Sequence, residues 1–336
     1  MTNLNQSNLS KATSTLKNKE EIIQNVRILN TPTLNQVFSI NPNQSPNKIN
    51  KALGNEAQFF LQSANKDDDA IFYIENYIQG NHFKLDAKKI LDFIILRFSE
   101  RNSYKQNDSK INVEVVFSLE EYAEVLGRRN SKSSSTKKDV RRIVKEALDI
   151  IYSCSIETYE KRGSEIQKFS KMRILQDYTI KNSVCTVNLG IKFAEYMNRS
   201  YIMNFPMSLF KLDGRNSNAY CVARRLSVHQ SILNNKKKGT NKIISVNSLL
   251  KAAPCIPTIE EVRSSNCSWS NRIEDKLTDT LDKLTDSNRQ VETKILESWS
   301  YCNSKGVPIS DEQLLDMNYY SFSNLYVNFS VCGIDQ

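Results

Sequence analysis

The alternation of apolar and polar residues between Ser118 and Ile151 predicts two helices joined by a short turn. Ser118 is followed three residues later by Glu121, which is the spacing of a capping box, and Gly127 is placed to end this first helix. The second helix is predicted to begin near Thr136. Its apolar residues recur at helical spacing and form one stripe, which consists of Val140, Ile143, Val144, Ala147, Leu148 and Ile151.

The face opposite this stripe is basic. At roughly 100° per residue, four basic side chains fall together there, namely Lys138, Arg141, Arg142 and Lys145. From Arg128 to Lys145 the chain contains eight lysines and arginines and one acid, Asp139. A short helix followed by a helix with one apolar and one basic face is typical of a helix-turn-helix that presents a recognition helix to DNA. A core helix with a solvated charged face gives the same pattern, so the charge alone leaves both interpretations open.

The elements around these two helices follow one another in the order of a winged helix. Those predicted, in chain order, are a helix over 86–100, a strand over 113–117, the two helices, strands over 152–159 and 166–175, and a last strand over 184–189. The turn at Lys161 and Arg162, between the first two strands after the helices, is predicted to be the wing.

The same order of elements recurs in the second half of the chain. Those predicted are a helix over 218–233, a basic loop at 236–238, a strand over 243–246, a short helix ending at 252, a helix over 269–284 and a strand over 325–331. We therefore predict an α+β fold with two tandem winged-helix domains, over residues 66–205 and 206–336, as duplicated helix-strand-helix-helix-hairpin units. Residues 1–65 are rich in Asn, Ser, Gln and Thr and are predicted to be a disordered polar segment.

Composition narrows the classes of function. The net charge of +9 favours a polyanionic partner, and no apolar run reaches the roughly 18 to 20 residues of a membrane span. The N-terminus lacks a secretory apolar stretch and the seven cysteines include no Cys-x-x-Cys pair, so we expect a cytoplasmic protein with reduced thiols. The nine glycines form no phosphate-binding loop, and the two histidines, His82 and His229, are far apart in sequence. We therefore expect no enzymatic activity, no metal and no cofactor.

Six segments of the chain resemble the iteron-type plasmid replication initiators, a family built from two winged helices. They are Phe117–Leu126, Asp139–Ile151, the strand ending at Leu189, Tyr220–Leu226, Ile244–Leu250 and Arg272–Leu284. The resemblance lies in the order and spacing of these segments and covers roughly residues 70–331. It implies binding to repeated sites at a replication origin, opening of an adjacent AT-rich segment, and recruitment of the host initiator and helicase. It also implies a monomer–dimer equilibrium, in which the dimer represses its own gene and the monomer initiates replication.

On this interpretation the protein binds double-stranded DNA, with contacts from the basic turn, the recognition helix, two basic loops and the start of the second recognition helix. The candidate DNA-binding residues are Arg128, Arg129, Lys132, Ser135, Lys137, Lys138, Arg141, Arg142, Lys145, Lys161, Arg162, Lys236, Lys237, Lys238, Ser270, Asn271, Arg272 and Lys276. The second recognition helix also carries acids, which suit a groove lined by phosphates poorly; they are Glu274, Asp275, Asp279, Asp282 and Asp286. Either only its first turn reaches DNA, or this half contacts protein.

Three other functions are compatible with the same residues. The first is a winged-helix transcriptional repressor without a replication role. The second is a relaxase or nuclease, although a rolling-circle nickase would require a metal-binding histidine cluster, which the sequence lacks. The third is an adaptor protein whose basic face is only solvated.

Overall fold

The computed structural model of the 336-residue chain describes residues 25–41, 46–61, 68–77, 83–102, 111–128, 131–162, 165–212, 217–235, 243–285 and 294–332. The described strands are β1 (Asn25–Asn30), β2 (Lys48–Asn50), β3 (Glu56–Leu61), β4 (Asp68–Ile74), β5 (Glu114–Ser118), β6 (Cys154–Arg162), β7 (Glu165–Arg173), β8 (Leu175–Lys181), β9 (Val184–Leu189), β10 (Tyr201–Pro206), β11 (Ile243–Ser245), β12 (Leu296–Cys302) and β13 (Tyr326–Val331).

The described helices alternate with these strands and give the mixed α and β fold that the sequence predicts. They are α1 (Pro32–Ser39), α2 (Leu85–Asn102), α3 (Leu119–Val125), α4 (Ser134–Tyr152), α5 (Ile191–Asn198), α6 (Ser217–Asn235), α7 (Val246–Ala252), α8 (Ile259–Ser264), α9 (Asp275–Thr285), α10 (Asp311–Leu315) and α11 (Tyr319–Ser323). A π-helical turn, Ser270–Glu274, leads directly into α9. Among the described helices, none combines the length and apolar character needed to cross a membrane.

Part of the predicted disordered segment is folded. Strand β1 pairs antiparallel with β10, and α1 follows it directly, with Thr31 as the N-cap residue that accepts a hydrogen bond from the Leu34 backbone N–H. Ile28 and Phe38 are buried in the core. The expectation of disorder is therefore wrong for residues 25–41 and 46–61, because a few apolar anchors in a polar sequence are enough to fix the segment on the rest of the chain. Residues 1–24 lie outside the described residues.

The prediction that the turn at Lys161 and Arg162 is the wing is also wrong. Strands β6 and β7 form the hairpin at Lys161 and Arg162, but β6 pairs with β4 and the hairpin completes a five-stranded antiparallel sheet with strand order β2-β3-β4-β6-β7. The hairpin that closes on the strand before the two helices is instead β8–β9, since β5 pairs with β9. The predicted strand over 166–175 is divided at Ile174 into β7 and β8, whereas the last strand, β9, has the predicted bounds.

Two three-stranded antiparallel sheets, one in each half of the chain, share one topology. In the first the strand order is β5-β9-β8, and in the second it is β11-β13-β12. In both sheets, the strand that precedes the helices pairs with the last strand of the sheet, and that last strand also pairs with the strand that lies between them in sequence. The two halves therefore place their helices on sheets of equal strand order.

A buried polar contact joins the two halves. It lies between α2 and α6, which are the helices that precede the two three-stranded sheets. The Arg224 Nε atom lies 2.9 Å from the Asp92 Oδ2 atom, and both side chains are almost fully excluded from solvent. On the same helix as Asp92, the buried Lys88 ammonium donates to the backbone carbonyls of Phe38 and Ile40, at the end of α1. Since the Arg224 Nη1 atom also donates to the Asn35 Oδ1 atom of α1 at 2.6 Å, helix α1 is hydrogen-bonded to both halves.

Candidate nucleic-acid interface

Helix α3 and its ends form as the sequence predicts. The Glu121 backbone N–H donates to the Ser118 Oγ atom at 3.0 Å, and the Ser118 backbone N–H donates to the Glu121 carboxylate at 3.4 Å, which together make the capping box. Gly127 follows the helix with a φ of +67°, a conformation that suits glycine. Tyr122 and Ala123 are buried beneath the helix and anchor it on the core.

Helix α4 begins at Ser134, two residues earlier than predicted, because Ser133 is its N-cap residue. The Thr136 backbone N–H donates to the Ser133 Oγ atom at 3.2 Å. The predicted apolar stripe forms the inner face of the helix, where Ile143 is half-buried and the others are buried: Val140, Val144, Ala147, Leu148 and Ile151. The stripe packs α4 against α2, so one face of α4 is turned away from solvent along its whole length.

The opposite face of α4 is open to solvent, and its four predicted basic residues are all exposed: Lys138, Arg141, Arg142 and Lys145. In the part of the chain that the structure describes, Lys138 and Lys145 form no ion pair. An amphipathic helix of this kind presents a row of positive charges outward from a rigid support.

Two of these four side chains have neighbours that hold them along the surface. An Arg142 Nη1 atom lies 3.0 Å from the Glu146 carboxylate, one helical turn away, and both side chains are about 60% exposed, at 62% and 61%. Exposed ion pairs of this kind are weak, so the pair leaves Arg142 able to exchange its partner. The Arg141 guanidinium donates to the backbone carbonyl of Ile180 at 3.2 Å and so connects α4 to the β8–β9 hairpin.

The basic turn before α4 is paired with an acid. The Glu120 carboxylate in the first turn of α3 lies 3.8 Å from the Lys132 Nζ atom and 3.6 Å from the Lys137 Nζ atom. Arg128 and Ser135, two further predicted residues, are exposed. The predicted Arg129 lies outside the described residues. The turn therefore brings the described bases to the same end of α4, next to the start of α3.

The β8–β9 hairpin lies against α4 and adds a feature that sequence reasoning missed. Asn182 and Ser183 form its two-residue turn, with φ values of +49° and +64°, as in the turns that best fit the twist of a hairpin. The Ser183 carbonyl accepts a hydrogen bond from the Leu119 backbone N–H at 2.8 Å, which places the turn beside the start of α3. Lys181 is exposed at this turn. The signal in the sequence is an Asn-Ser pair between two runs that alternate apolar and polar residues.

A tyrosine contact fixes the same hairpin on the end of α4. The Tyr178 hydroxyl donates to the Asp149 carboxylate, and the Tyr178 and Tyr152 rings meet edge to face with centroids 6.4 Å apart. Burial, followed by the Asp149 carboxylate, raises the pKa of the Tyr178 hydroxyl, so the group remains a hydrogen-bond donor at neutral pH. The helix and the hairpin therefore form one surface.

Two predicted basic loops cannot be placed against this surface. Lys161 and Arg162 end β6 in the five-stranded sheet, and their side chains are not among the described ones. The predicted lysines Lys236, Lys237 and Lys238 lie outside the described residues.

The predicted residues of the second half lie at the start of the helix that ends in α9. Asn271, Arg272 and Lys276 are exposed, and the Ser270 hydroxyl donates to the Glu274 carboxylate at 2.9 Å. An Arg272 guanidinium nitrogen lies 3.9 Å from the Cys267 Sγ atom. A hydrogen bond with the Ser265 side chain, followed by one from Arg272, lowers the pKa of the Cys267 thiol.

Acids share this outer face with the predicted bases. Asp275, Asp279 and Asp282 are exposed, and the Asp282 carboxylate accepts a hydrogen bond from the Trp299 indole at 3.0 Å. The outer face of this helix therefore carries both acids and bases, whereas the outer face of α4 described above carries a row of four bases. Within the described ranges, no three histidine, cysteine, aspartate or glutamate side chains come close enough together to bind a metal ion.

Comparison with known proteins finds distant likenesses in structure alone. No family model matches the sequence, and no curated protein matches it either. Among solved structures, a selenomethionine derivative of domains 2 and 3 of RctB is 10% identical with a TM-score of 0.47, covering 91% of this chain and 99% of that one. Another structure of RctB domains 2–3 is 9% identical with a TM-score of 0.43, covering 89% of this chain and 98% of that one.

A third solved structure, the Pi initiator protein in complex with iteron DNA, is 10% identical with a TM-score of 0.45 and covers 94% of this chain and 100% of that one. With TM-scores below 0.5, these likenesses assign no function to this chain, and a functional conclusion depends on the interface itself.

Proposed function

We propose that this protein binds double-stranded DNA in a sequence-specific manner and initiates replication of a plasmid or another mobile element at repeated origin sites. The observation that carries the proposal is the exposed basic face of α4, held from behind by a buried apolar stripe and flanked by the β8–β9 hairpin. A rigid basic helix beside a hairpin is an arrangement that can enter the major groove while the hairpin follows the backbone.

The proposal includes a duplicated winged helix, with the change of domains near residue 205. The common strand order of the two three-stranded sheets supports it, as does the place of helices α3 and α4 between the first two strands of one sheet and of helices α7, α8 and α9 between those of the other. In the first half, α3 and α4 would be the helix-turn-helix and β8–β9 the wing. In the second half, the corresponding recognition helix is the one that ends in α9.

On the DNA, the exposed α4 side chains Lys138 and Arg142 would reach guanine edges, since arginine and lysine pair well with the guanine O6 and N7 atoms. Arg128 and Lys132 would lie on phosphates, and Lys181 at the hairpin turn would reach a further phosphate. Contacts by the predicted loops at 161–162 and 236–238 remain predictions.

The test is the double variant Lys138→Ala with Arg142→Ala. Binding to duplexes from the DNA that flanks the protein's own gene is measured by fluorescence anisotropy over a range of salt concentrations. Each lost charge that neutralises a phosphate should reduce the slope of log K against log salt by about 0.9, and a lost guanine contact should lower affinity for the cognate duplex. We therefore expect weaker binding and a slope flatter by up to about 1.8.

The control variant is Lys192→Ala with Arg199→Ala, which removes the same charge from exposed positions on and just after α5. It should leave the slope close to that of the unaltered protein. Equal affinities and equal slopes for the two double variants would mean that α4 does not contact DNA, and the proposal would be wrong.

Initiation and repression are separated by a second experiment, because both use the same DNA-binding face. A replicon that lacks the gene should be lost from a permissive host if the protein initiates replication, and the gene supplied in trans should restore it. Persistence of the replicon without the gene would favour the repressor. Self-repression, a monomer–dimer equilibrium, a cytoplasmic location, and contacts with the host initiator and helicase belong to the same proposal.

A further inference from the structure

One carboxylate lies between two of the basic residues assigned to the DNA face. The Glu120 Oε1 atom is 3.8 Å from the Lys132 Nζ atom, and the Glu120 Oε2 atom is 3.6 Å from the Lys137 Nζ atom. The acid belongs to α3, and the lysines belong to the turn and to the first turn of α4. Both oxygens of one carboxylate are therefore engaged by ammonium groups from two different segments.

Two ammonium groups that converge on one anionic group are also the arrangement that would hold a phosphate. The Lys132 side chain is 82% exposed and that of Lys137 is 36% exposed, so a strand of DNA can approach both. A phosphate that contacts these lysines must replace Glu120 or share them with it. Because ion pairs at exposed positions are weak, the replacement requires little free energy, but wherever a lysine stays with Glu120 its phosphate contact is lost.

We propose that Glu120 acts as an internal substitute for a DNA phosphate, which restrains Lys132 and Lys137 in the free protein and so lowers affinity for duplexes of any sequence. The inference rests on the proposed function. Non-specific binding consists almost entirely of phosphate neutralisation, whereas a cognate complex also has contacts with base edges. An acid that competes for phosphate contacts, which both kinds of complex make, therefore lowers both affinities by a similar factor and leaves their ratio nearly unchanged.

The direct test is Glu120→Gln, which removes the charge and keeps the volume of the side chain. Freed from the acid, the two lysines should bind a random-sequence duplex on the order of three- to tenfold more tightly at low salt. The slope of log K against log salt should become steeper by about 0.9 to 1.8, and the cognate duplex should gain affinity by a similar factor.

The matched control is Glu124→Gln, one turn further along α3. Glu124 is exposed, and its described contact is a hydrogen bond from the Ser131 hydroxyl at 3.4 Å rather than a lysine. This variant changes the net charge by the same amount, so it should give a small gain in affinity with little change in slope. Equal behaviour of the two variants would overturn the inference, because net charge alone would then account for both.

A second measurement repeats Glu120→Gln in a chain that also carries Lys132→Met and Lys137→Met. In that background the substitution should no longer steepen the slope, and a slope that still steepens would overturn the inference. The experiments distinguish failure of this inference from failure of the proposed function. If Lys138→Ala with Arg142→Ala weakens binding but Glu120→Gln equals Glu124→Gln, only the inference is wrong, whereas failure of every form to bind duplex overturns both.

Discussion

The arginine between the two halves offers the largest single effect that the structure predicts. Arg224 donates from its Nε atom to Asp92 at 2.9 Å, from Nη1 to Asn35 at 2.6 Å and from Nη2 to Asn30 at 2.9 Å. Its guanidinium carbon also lies 3.8 Å from the centre of the Phe38 ring. The side chain is 2% exposed, so water cannot take over any of these contacts when it is removed.

Substitution of Arg224 by Met keeps an unbranched side chain of moderate length but leaves Asp92 without its counter-charge. Asp92 keeps the hydrogen bond from the Tyr220 hydroxyl, at 2.6 Å. Removal of one partner from a buried ion pair costs about 3–5 kcal/mol. Because the whole free energy of unfolding of a domain is about 5–15 kcal/mol, we expect Arg224→Met to lose about a fifth of it or more.

The loss should depend on pH in a direction that follows from Asp92. Burial raises the pKa of this carboxyl, and Arg224 and Tyr220 oppose the rise. Without Arg224 the folded-state pKa rises further above its unfolded value, so the cost of the unpaired carboxyl is full above the folded-state pKa. As the pH falls below that pKa, Asp92 becomes protonated and the cost declines, until it is gone below the unfolded-state pKa. The stability difference should therefore be smaller at pH 5 than at pH 8.

Urea unfolding followed by far-UV circular dichroism measures this effect at both pH values. Arg199→Met, at an exposed position, is the control and should change the free energy of unfolding by less than about 0.5 kcal/mol. A loss below about 1 kcal/mol for Arg224→Met, or a loss that is equal at the two pH values, would refute the reasoning, because either would mean that Asp92 is not a buried charge dependent on this arginine.

Two further substitutions test how the interface is supported, both by urea unfolding. Gly190→Ala places a Cβ atom against the Arg173 carbonyl oxygen where β9 leads into α5, so we expect a loss of about 1–3 kcal/mol, and an unchanged stability would contradict this close approach. Ser118→Ala removes the capping box of α3 and should cost about 1 kcal/mol, whereas a cost near zero would mean that the cap is replaced by water.

Local patterns were sufficient to predict α3 and α4, because capping and an apolar stripe act within a few residues. They failed for the wing, since β6 and β7 alternate as a hairpin should and only the pairing of β6 with β4 shows that they belong to another sheet. That pairing joins Ile74 to Cys154, residues far apart in the chain. A pattern read over ten residues contains no information about such a partner.

In the candidate interface too, some features could be predicted from local sequence and others depend on how distant elements pack. The exposure of Lys138 and Lys145 follows from a period of about 100° per residue, once the opposite face is apolar. The position of Glu120 between Lys132 and Lys137 does not follow, because it depends on how α3 packs on the start of α4. The sequence therefore indicates which residues can carry charge to a surface, whereas the packing decides which of those charges are already neutralised.

On the proposed assignment, the two recognition helices contribute to DNA binding in different ways, because their charges differ. The exposed bases of α4 can neutralise phosphates at a distance, so they would account for most of the salt dependence. On the helix that ends in α9, Asp275 and Asp279 oppose the same phosphates, and only short-range contacts from Asn271 or Arg272 could compensate. A second half that gains little from charge adds to affinity only where its contacts fit, and its main effect would then be on the choice of site.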